Sequence, residues 1–195
     1  MLNYPLKLSF KLFTFAPAVT VRDVSGQVVL SLQQKALALR QDIKVYRDEA
    51  HQDQAYQINA DRIIGFSVNY GIKTAAGELL GTLGRKGMRS LWRATYQIAD
   101  ENGQDIGTIH ETNPWVKVLD GMLEEIPFVG FLVALLFNPT YAVDLRGQQA
   151  MLVHKKPSLW ARTFELEPTG GVTEHDEPLV IASVLTMVLH ERTRQ

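Results

Sequence analysis

A repeated spacing of glycine and lysine constrains this chain of 195 residues more than any other feature. Three glycines are each followed by a lysine nine positions later, and each lysine precedes an apolar segment with an aromatic residue. The segments 90–96 and 158–164 match closely, with the sequences SLWRATY and SLWARTF. Such internal repetition indicates one supersecondary unit that is used several times. The residues that share this pattern are Gly26, Lys35 and Tyr46; Gly77, Lys86 and Tyr96; and Gly147, Lys156 and Phe164.

The repeat unit is predicted to be a β-meander. The stretches around each glycine are rich in Val, Ile, Thr and Tyr, which favour strands, and glycine supplies the positive φ of a tight hairpin. Asp23, Asn102 and Asp144 precede such glycines, where their side chains can bond to the turn backbone. Four units give about twelve antiparallel strands, and so large a sheet leaves exposed edges unless it closes. The sequence therefore predicts a mainly β fold, a closed barrel in one domain over residues 1–195.

The C-terminal residues 178–190 are predicted to form a wholly buried helix. Asp176 is a candidate N-cap, and residues 179–189 carry no charge, with Ser183 and Thr186 as their only polar members. A helix that is apolar on every face must be surrounded by apolar surface. A barrel of about twelve strands is too wide to be filled by its own side chains, since about eight strands already reach that limit. We therefore expect this helix to fill the barrel.

Residues 115–138 interrupt the β pattern and are predicted to form a helical insertion. Apolar residues recur at helical spacing after Pro114, and the stretch 126–137 has no charge. That stretch is shorter than the roughly 20 residues of a spanning helix. Either this segment packs on the outside of the barrel as a structural element, or it contacts a membrane or a protein partner. The residues that would make such a contact are Trp115, Phe128, Phe131, Leu132 and Leu135.

Basic residues recur in the lysine loops of the second and fourth units, and in the strand after the second. Loops of this kind can gather anionic lipid headgroups, although the same residues also serve as solvated turns that keep strand edges soluble. The candidate lipid contacts are Arg85, Lys86, Arg89, Arg93, Lys155 and Lys156.

Taken together, the repeated strand units, the helical insertion and the terminal apolar helix resemble the tubby-like C-terminal fold, and most closely its scramblase and LURP-one-related branch. The resemblance covers about residues 6–190 and implies a twelve-stranded barrel around a hydrophobic C-terminal helix. It also implies phosphoinositide binding through basic residues, as in tubby proteins, or membrane association, as in scramblases. The chain has no cysteine for palmitoylation and no evident calcium loop, which argues against calcium-dependent lipid scrambling.

Composition and motifs argue against several other functions. The absence of cysteine excludes disulfides and thiolate chemistry, and a net charge of −1 gives no pull toward nucleic acid. No metalloprotease, Walker, nucleophile-elbow or dinucleotide-binding motif occurs. The histidines offer no convincing co-ligand, so no catalytic, metal or cofactor site is expected; they are His51, His110, His154, His175 and His190.

We therefore expect a non-enzymatic binding or scaffold domain in the cytoplasm, peripheral to the membrane. Its partners would be a phosphoinositide or another anionic lipid, or a protein that docks on the insertion. The alternative is a barrel that carries a small apolar ligand, which requires that the C-terminal helix lie outside the lumen. An enzyme is the least favoured reading, and a pocket that joins two of His51, His110, His154 and His175 would support it.

Overall fold

The computed structural model of the chain describes residues 1–11, 18–33, 42–60, 69–85, 95–112, 139–157 and 161–192. Within these ranges it contains twelve strands and one helix. They are β1 Leu6–Lys11, β2 Ala18–Arg22, β3 Val28–Gln33, β4 Ile43–Tyr46, β5 Gln54–Ala60, β6 Asn69–Thr74, β7 Leu79–Arg85, β8 Thr95–Asp100, β9 Asp105–Glu111, β10 Thr140–Leu145, β11 Gln148–Lys156, β12 Ala161–Pro168 and α1 Glu177–Arg192.

The twelve strands form one closed antiparallel barrel in which every strand pairs with its neighbours in sequence. Pairing of β1 with both β2 and β12 closes the barrel. The β1–β12 register runs from Leu6 opposite Leu166 to Lys11 opposite Ala161. Closure gives each of these strands two partners and so removes the exposed edges of an open sheet. The prediction of a mainly β, closed antiparallel barrel is confirmed.

Glycine sets the tight turns of the barrel as the repeat predicts. The turns that join β2 to β3, β6 to β7, β8 to β9 and β10 to β11 contain Gly26, Gly77, Gly103 and Gly147, with φ between 79° and 91°. In the last of these turns Arg146 also has a positive φ of 48°, as a two-residue type I′ hairpin requires. The glycine of the repeat is therefore a conformational requirement of the hairpin.

Aspartate side chains hold two of these turns, but only one is an aspartate that the sequence pattern singled out. Asp23 Oδ1 accepts hydrogen bonds from the backbone N–H groups of Ser25 and Gln27, at 2.9 and 3.0 Å. In the β8–β9 turn the acceptor is Asp100, which bonds the N–H groups of Asn102 and Gln104 at 2.9 and 2.8 Å. The side chain of Asn102 instead donates to Glu101. In both of these turns the bonding aspartate lies three residues before the glycine.

The helix α1 fills the barrel interior. Every residue from Leu179 to Leu189 is at most 4% exposed, and His190 is 9% exposed. The polar Thr186 is satisfied within the helix, because its Oγ1 donates to the carbonyl of Ala182 at 2.7 Å. The helix extends one residue before and two residues after the predicted span 178–190. It occupies the volume in which a barrel carrier would hold its ligand.

Gly81 lets the start of the helix approach the wall of the barrel. A Cβ atom at this position would lie 2.8 Å from Cδ2 of Leu179 and 2.3 Å from the carbonyl oxygen of Ala99. The helix packs against β5, β6, β7 and β8. A backbone without a side chain on β7 therefore fixes the distance between the sheet and the first turn of α1.

Truncation of the helix should destabilise the whole barrel. We expect Leu185→Ala to lower the free energy of unfolding by about 2–5 kcal/mol, because Leu185 is fully enclosed and its loss leaves a cavity. Urea denaturation followed by circular dichroism measures this change. The control Val24→Ala, at a residue that is 65% exposed, should change the free energy by less than about 0.5 kcal/mol. A similar small loss for Leu185→Ala would contradict the central position of the helix.

Candidate functional site

The barrel has two unlike ends. At one end, here called the turn end, the turns 23–27, 47–53, 75–78, 101–104 and 146–147 join strands. At the other, the connection end, the strands meet the segments that join β1 to β2, β3 to β4, β5 to β6, β7 to β8, β9 to β10 and β11 to β12. Helix α1 begins at the turn end, where Glu177 accepts hydrogen bonds from Leu2 N–H and Tyr4 Oη. It ends at the connection end, where His190 meets Tyr96.

The turn end is acidic. The arginines of its turns are each held by a carboxylate: Arg22 by Glu49 at 2.8 Å, Arg47 by Asp53 at 2.8 Å, and Arg146 by Asp176 at 2.9 Å. Further carboxylates at this end outnumber the cations that are left, so the end carries a net negative charge. These carboxylates belong to Asp23, Asp48, Glu78, Asp100, Glu101, Asp105, Glu174 and Glu177.

The connection end holds the described members of the predicted basic cluster. Arg85 is the last residue of β7, and Lys155 and Lys156 end β11. Arg162 lies near the start of β12, at the same end. The predicted contacts Lys86, Arg89 and Arg93 lie outside the described residues, in the segment that joins β7 to β8. The described basic residues of the second and fourth units therefore share one end of the barrel.

These cations form a rim and not a single cluster. β7 and β11 are four steps apart around the barrel, which corresponds to about 19 Å along the wall at the usual strand spacing. Lys156 is ion-paired with Glu165 on β12. The side chain of Arg85, at the end of β7, makes no ion pair or hydrogen bond to another described side chain. The rim is suited to a broad anionic surface better than to one small anion.

The predicted helical insertion, residues 115–138, lies outside the described residues. It includes the predicted membrane or partner contacts Trp115, Phe128, Phe131, Leu132 and Leu135. The segment that contains them joins β9, which ends at Glu111, to β10, which begins at Thr140. Both of these strand termini lie at the connection end.

A buried polar contact joins the end of α1 to the barrel wall near the connection end. Tyr96 Oη and His190 Nδ1 are 2.9 Å apart, and the rings of Tyr70 and Tyr96 both meet the His190 ring edge to face. Burial raises the pKa of Tyr70, and the positive charge of Arg85 acts in the opposite direction. Arg85 therefore lies close enough to the end of the lumen to influence its buried tyrosine.

The remaining histidines are dispersed. His51 stacks on Tyr46, His110 lies 3.4 Å from Asp144, and His154 Nδ1 is 3.2 Å from Thr140 Oγ1. His175 lines a cleft at the turn end. Of the two surface clefts that the described residues line, neither joins two of these histidines. Among the described residues, no group of three or more His, Asp or Glu side chains is arranged to hold a metal ion.

The described part of the chain lines two shallow clefts on the outer surface. The first, of about 260 Å³, lies beside the rim and is lined by Lys7, Lys156, Pro157, Thr163 and Glu165. The second, of about 300 Å³, lies at the turn end; its lining residues are Leu79, Leu80, Asp100, Glu101, Ile106, Arg146, His175, Asp176 and Leu179. Sequence reasoning missed this second cleft. Its one available signal is the apolar pair Leu79-Leu80 directly after the turn 75–78.

A bidentate ion pair anchors the start of α1 in the second cleft. Both guanidinium Nη atoms of Arg146 bond the Asp176 carboxylate at 2.9 Å, and Thr173 Oγ1 donates to it at 2.7 Å. These bonds, led by that from Arg146, lower the pKa of Asp176 to about 2. Asp176 precedes the helix, as predicted for an N-cap, but these carboxylate bonds go to Arg146 and Thr173. The pair ties the β10–β11 turn to the helix.

None of the helices in the described part of the chain is both long and apolar enough to cross a bilayer.

The Asp176 pair should make stability depend on pH in acid. Its pKa is about 2 when folded and about 3.9 when unfolded, so its contribution is complete above about pH 5 and is lost toward pH 2. Asp176→Asn should therefore lower the free energy of unfolding by about 1–2 kcal/mol at pH 7, since solvent at the half-exposed Arg146 weakens the pair. Urea denaturation across this range should show the difference shrinking as the pH falls.

The matched control for this experiment is Asp53→Asn. Asp53 pairs with Arg47, and both side chains are more than half exposed. We expect a change below about 0.5 kcal/mol for this variant. A deficit in Asp176→Asn that stays constant from pH 7 to pH 2 would show that the ion pair is not its cause.

Comparison of this chain with known proteins finds no relative. A scan against protein-family models matches no family, and searches of the curated proteins and of the solved structures find no similar protein. The function of the chain must therefore be inferred from its own geometry and charge.

Proposed function

We propose that this chain is a non-enzymatic domain of tubby-like type that binds anionic lipid through the connection end of its barrel. In this proposal it works in the cytoplasm, at the surface of a membrane. The observation that carries the proposal is the separation of charge between the two ends. Carboxylates dominate the turn end, and Arg85, Lys155, Lys156 and Arg162 lie at the other.

The sequence of the joining segments strengthens this asymmetry. All three tryptophans of the chain, Trp92, Trp115 and Trp160, fall in segments that join strands at the connection end. Tryptophan is enriched where proteins meet the headgroup region of membranes. Basic residues also outnumber acidic ones in these segments: Lys35, Arg40, Arg62, Lys86, Arg89, Arg93 and Lys117 against Asp42, Asp61, Asp120, Glu124 and Glu125. Cations beside aromatic residues suit an anionic bilayer surface.

The acidic end does not cancel this attraction. Helix α1 has 16 residues and spans about 24 Å between the two ends of the barrel. The Debye length at physiological salt is about 8 Å, so the acidic turns lie beyond the reach of the membrane field when the connection end touches the bilayer. Each basic residue near the surface contributes about 1 kcal/mol. The same polarity orients the barrel, with its acidic end directed away from the lipid.

The carrier alternative has less support. A carrier needs an interior volume for its ligand, and α1 occupies that volume with side chains that are almost completely buried. The two surface clefts hold about 260 and 300 Å³, at or below the lower limit of about 300 Å³ for ligand pockets. Binding to a lipid surface, by contrast, does not require a cavity inside the barrel.

Neutralising the rim should weaken lipid binding. We expect the triple variant Arg85→Gln, Lys155→Gln, Lys156→Gln to bind phosphatidylserine or phosphoinositide vesicles about 10- to 100-fold more weakly, through the loss of three cations. Co-sedimentation at physiological salt, with neutral phosphatidylcholine vesicles as reference, measures this.

The matched control removes three cations nearer the turn end, in the triple variant Arg22→Gln, Arg47→Gln, Lys73→Gln. It has the same net charge and should bind within about twofold of the unaltered protein, because these residues lie away from the lipid. Equal losses in the two variants, or no binding of the unaltered protein at low salt, would refute the proposal. Thermal unfolding verifies that each variant is folded.

The apolar insertion gives an independent test. We expect Phe131→Asp to release the protein from anionic vesicles without unfolding it, since a carboxylate at a lipid contact is repelled and costly to bury. Bromine-labelled lipids should quench the native tryptophan fluorescence on binding. A dye on Val24→Cys, the sole cysteine of that variant and located at the turn end, should not be quenched. Quenching of the dye alone would reverse the proposed orientation.

A further inference from the structure

The turn-end cleft combines an apolar floor with an excess of negative charge. The floor consists of Leu79 and Leu80 at the start of β7, Ile106 on β9 and Leu179 in the first turn of α1. Leu79 is 41% exposed, one of three large apolar side chains that the described residues expose, whereas Leu179 is 4% exposed. The apolar surface therefore continues from solvent down to the buried helix.

The charge of the cleft follows from its ion pair. Arg146 and Asp176 neutralise each other through their bidentate contact, and the carboxylates of Asp100 and Glu101 remain. The turn bonds of Asp100 use only its Oδ1 atom, and Glu101 is exposed. Glu78 and Asp105 directly precede Leu79 and Ile106 and extend the negative surface beyond the cleft. An apolar floor is thus bordered by anions.

We infer that this cleft docks a short segment of a partner protein in which an apolar side chain is flanked by lysine or arginine. The apolar side chain would pack on Leu79, Ile106 and Leu179, and the cations would face Asp100 and Glu101. A free small molecule fits less well, because the cleft is open to solvent and its volume of about 300 Å³ is at the lower limit of ligand pockets. A peptide needs only to insert one or two side chains while its backbone rests on the rim.

This inference is independent of the proposed lipid contact, because it uses the opposite end of the barrel. If both hold, the protein bridges an anionic membrane and a basic partner segment. Negative charge at the cleft would favour cationic partners and disfavour anionic ones through electrostatic complementarity. The exposed leucine would supply an apolar anchor.

Fluorescence anisotropy with a labelled probe peptide tests the docking site. The probe has the sequence Lys-Leu-Lys-Lys-Leu-Lys with blocked termini, and its comparison peptides replace Lys with Glu or Leu with Ser. We expect the probe to bind at physiological salt and both comparison peptides to bind at least about tenfold more weakly, because recognition needs cations and an apolar anchor. Failure of the probe to bind, or equal binding of the serine peptide, would overturn the inference.

Variants locate the binding on the barrel. The double variant Leu79→Asn, Glu101→Gln should weaken probe binding about tenfold, and the matched double variant Val24→Asn, Glu49→Gln at another part of the turn end should stay within about twofold. Equal weakening would indicate general attraction to the acidic end and would overturn the inference. Spermine at equal charge should compete poorly; displacement as effective as that by unlabelled probe would show that charge alone is recognised and would also overturn it.

Discussion

Enclosure of an uncharged helix by a closed barrel is the constraint on which the rest of this structure depends. Helix α1 needs apolar surroundings on every side, and a twelve-stranded barrel needs an occupant because its own side chains cannot meet across the interior. Each element therefore supplies what the other lacks. Glycine serves this arrangement at two places, since Gly81 admits Leu179 to the wall and Gly147 permits the tight turn whose Arg146 holds Asp176.

Sequential antiparallel pairing gives the barrel two ends of different character. Because each strand pairs with the next one, alternate connections fall at opposite ends. The carboxylates of Asp23 and Asp100 bond the backbone of the turns on which they lie, so the same residues that shape the turn end also make it acidic. The described cations of the basic rim lie at the other end. The proposed function and the further inference both derive from this separation of charge. The lipid contact uses the connection end, and the docking cleft lies at the turn end.

Residue patterns revealed the architecture but not the surface sites. The glycine–lysine repeat and the uncharged residues 179–189 predicted the barrel and its central helix, because backbone conformation and burial leave strong traces in sequence. In the β8–β9 turn the sequence pattern placed the bonding residue two positions too late, at Asn102, whereas Asp100 makes the bonds. The cleft at Leu79 left almost no trace, because its walls come from β7, β9, the β8–β9 turn and α1, which are distant in sequence.

Local chemistry by itself determined two things about this protein: where the chain turns and which residues avoid water. Positive φ selects glycine, alternation selects the inward face of a strand, and an uncharged helix demands burial. Only the tertiary structure decided which residues from distant parts of the sequence come into contact or lie at the same end of the barrel. Barrel closure joined β1 to β12, brought Arg146 to Asp176 across the start of the helix, and gathered Arg85 and Lys155 at one rim. These encounters depend on strand order and register, which no short stretch of sequence contains.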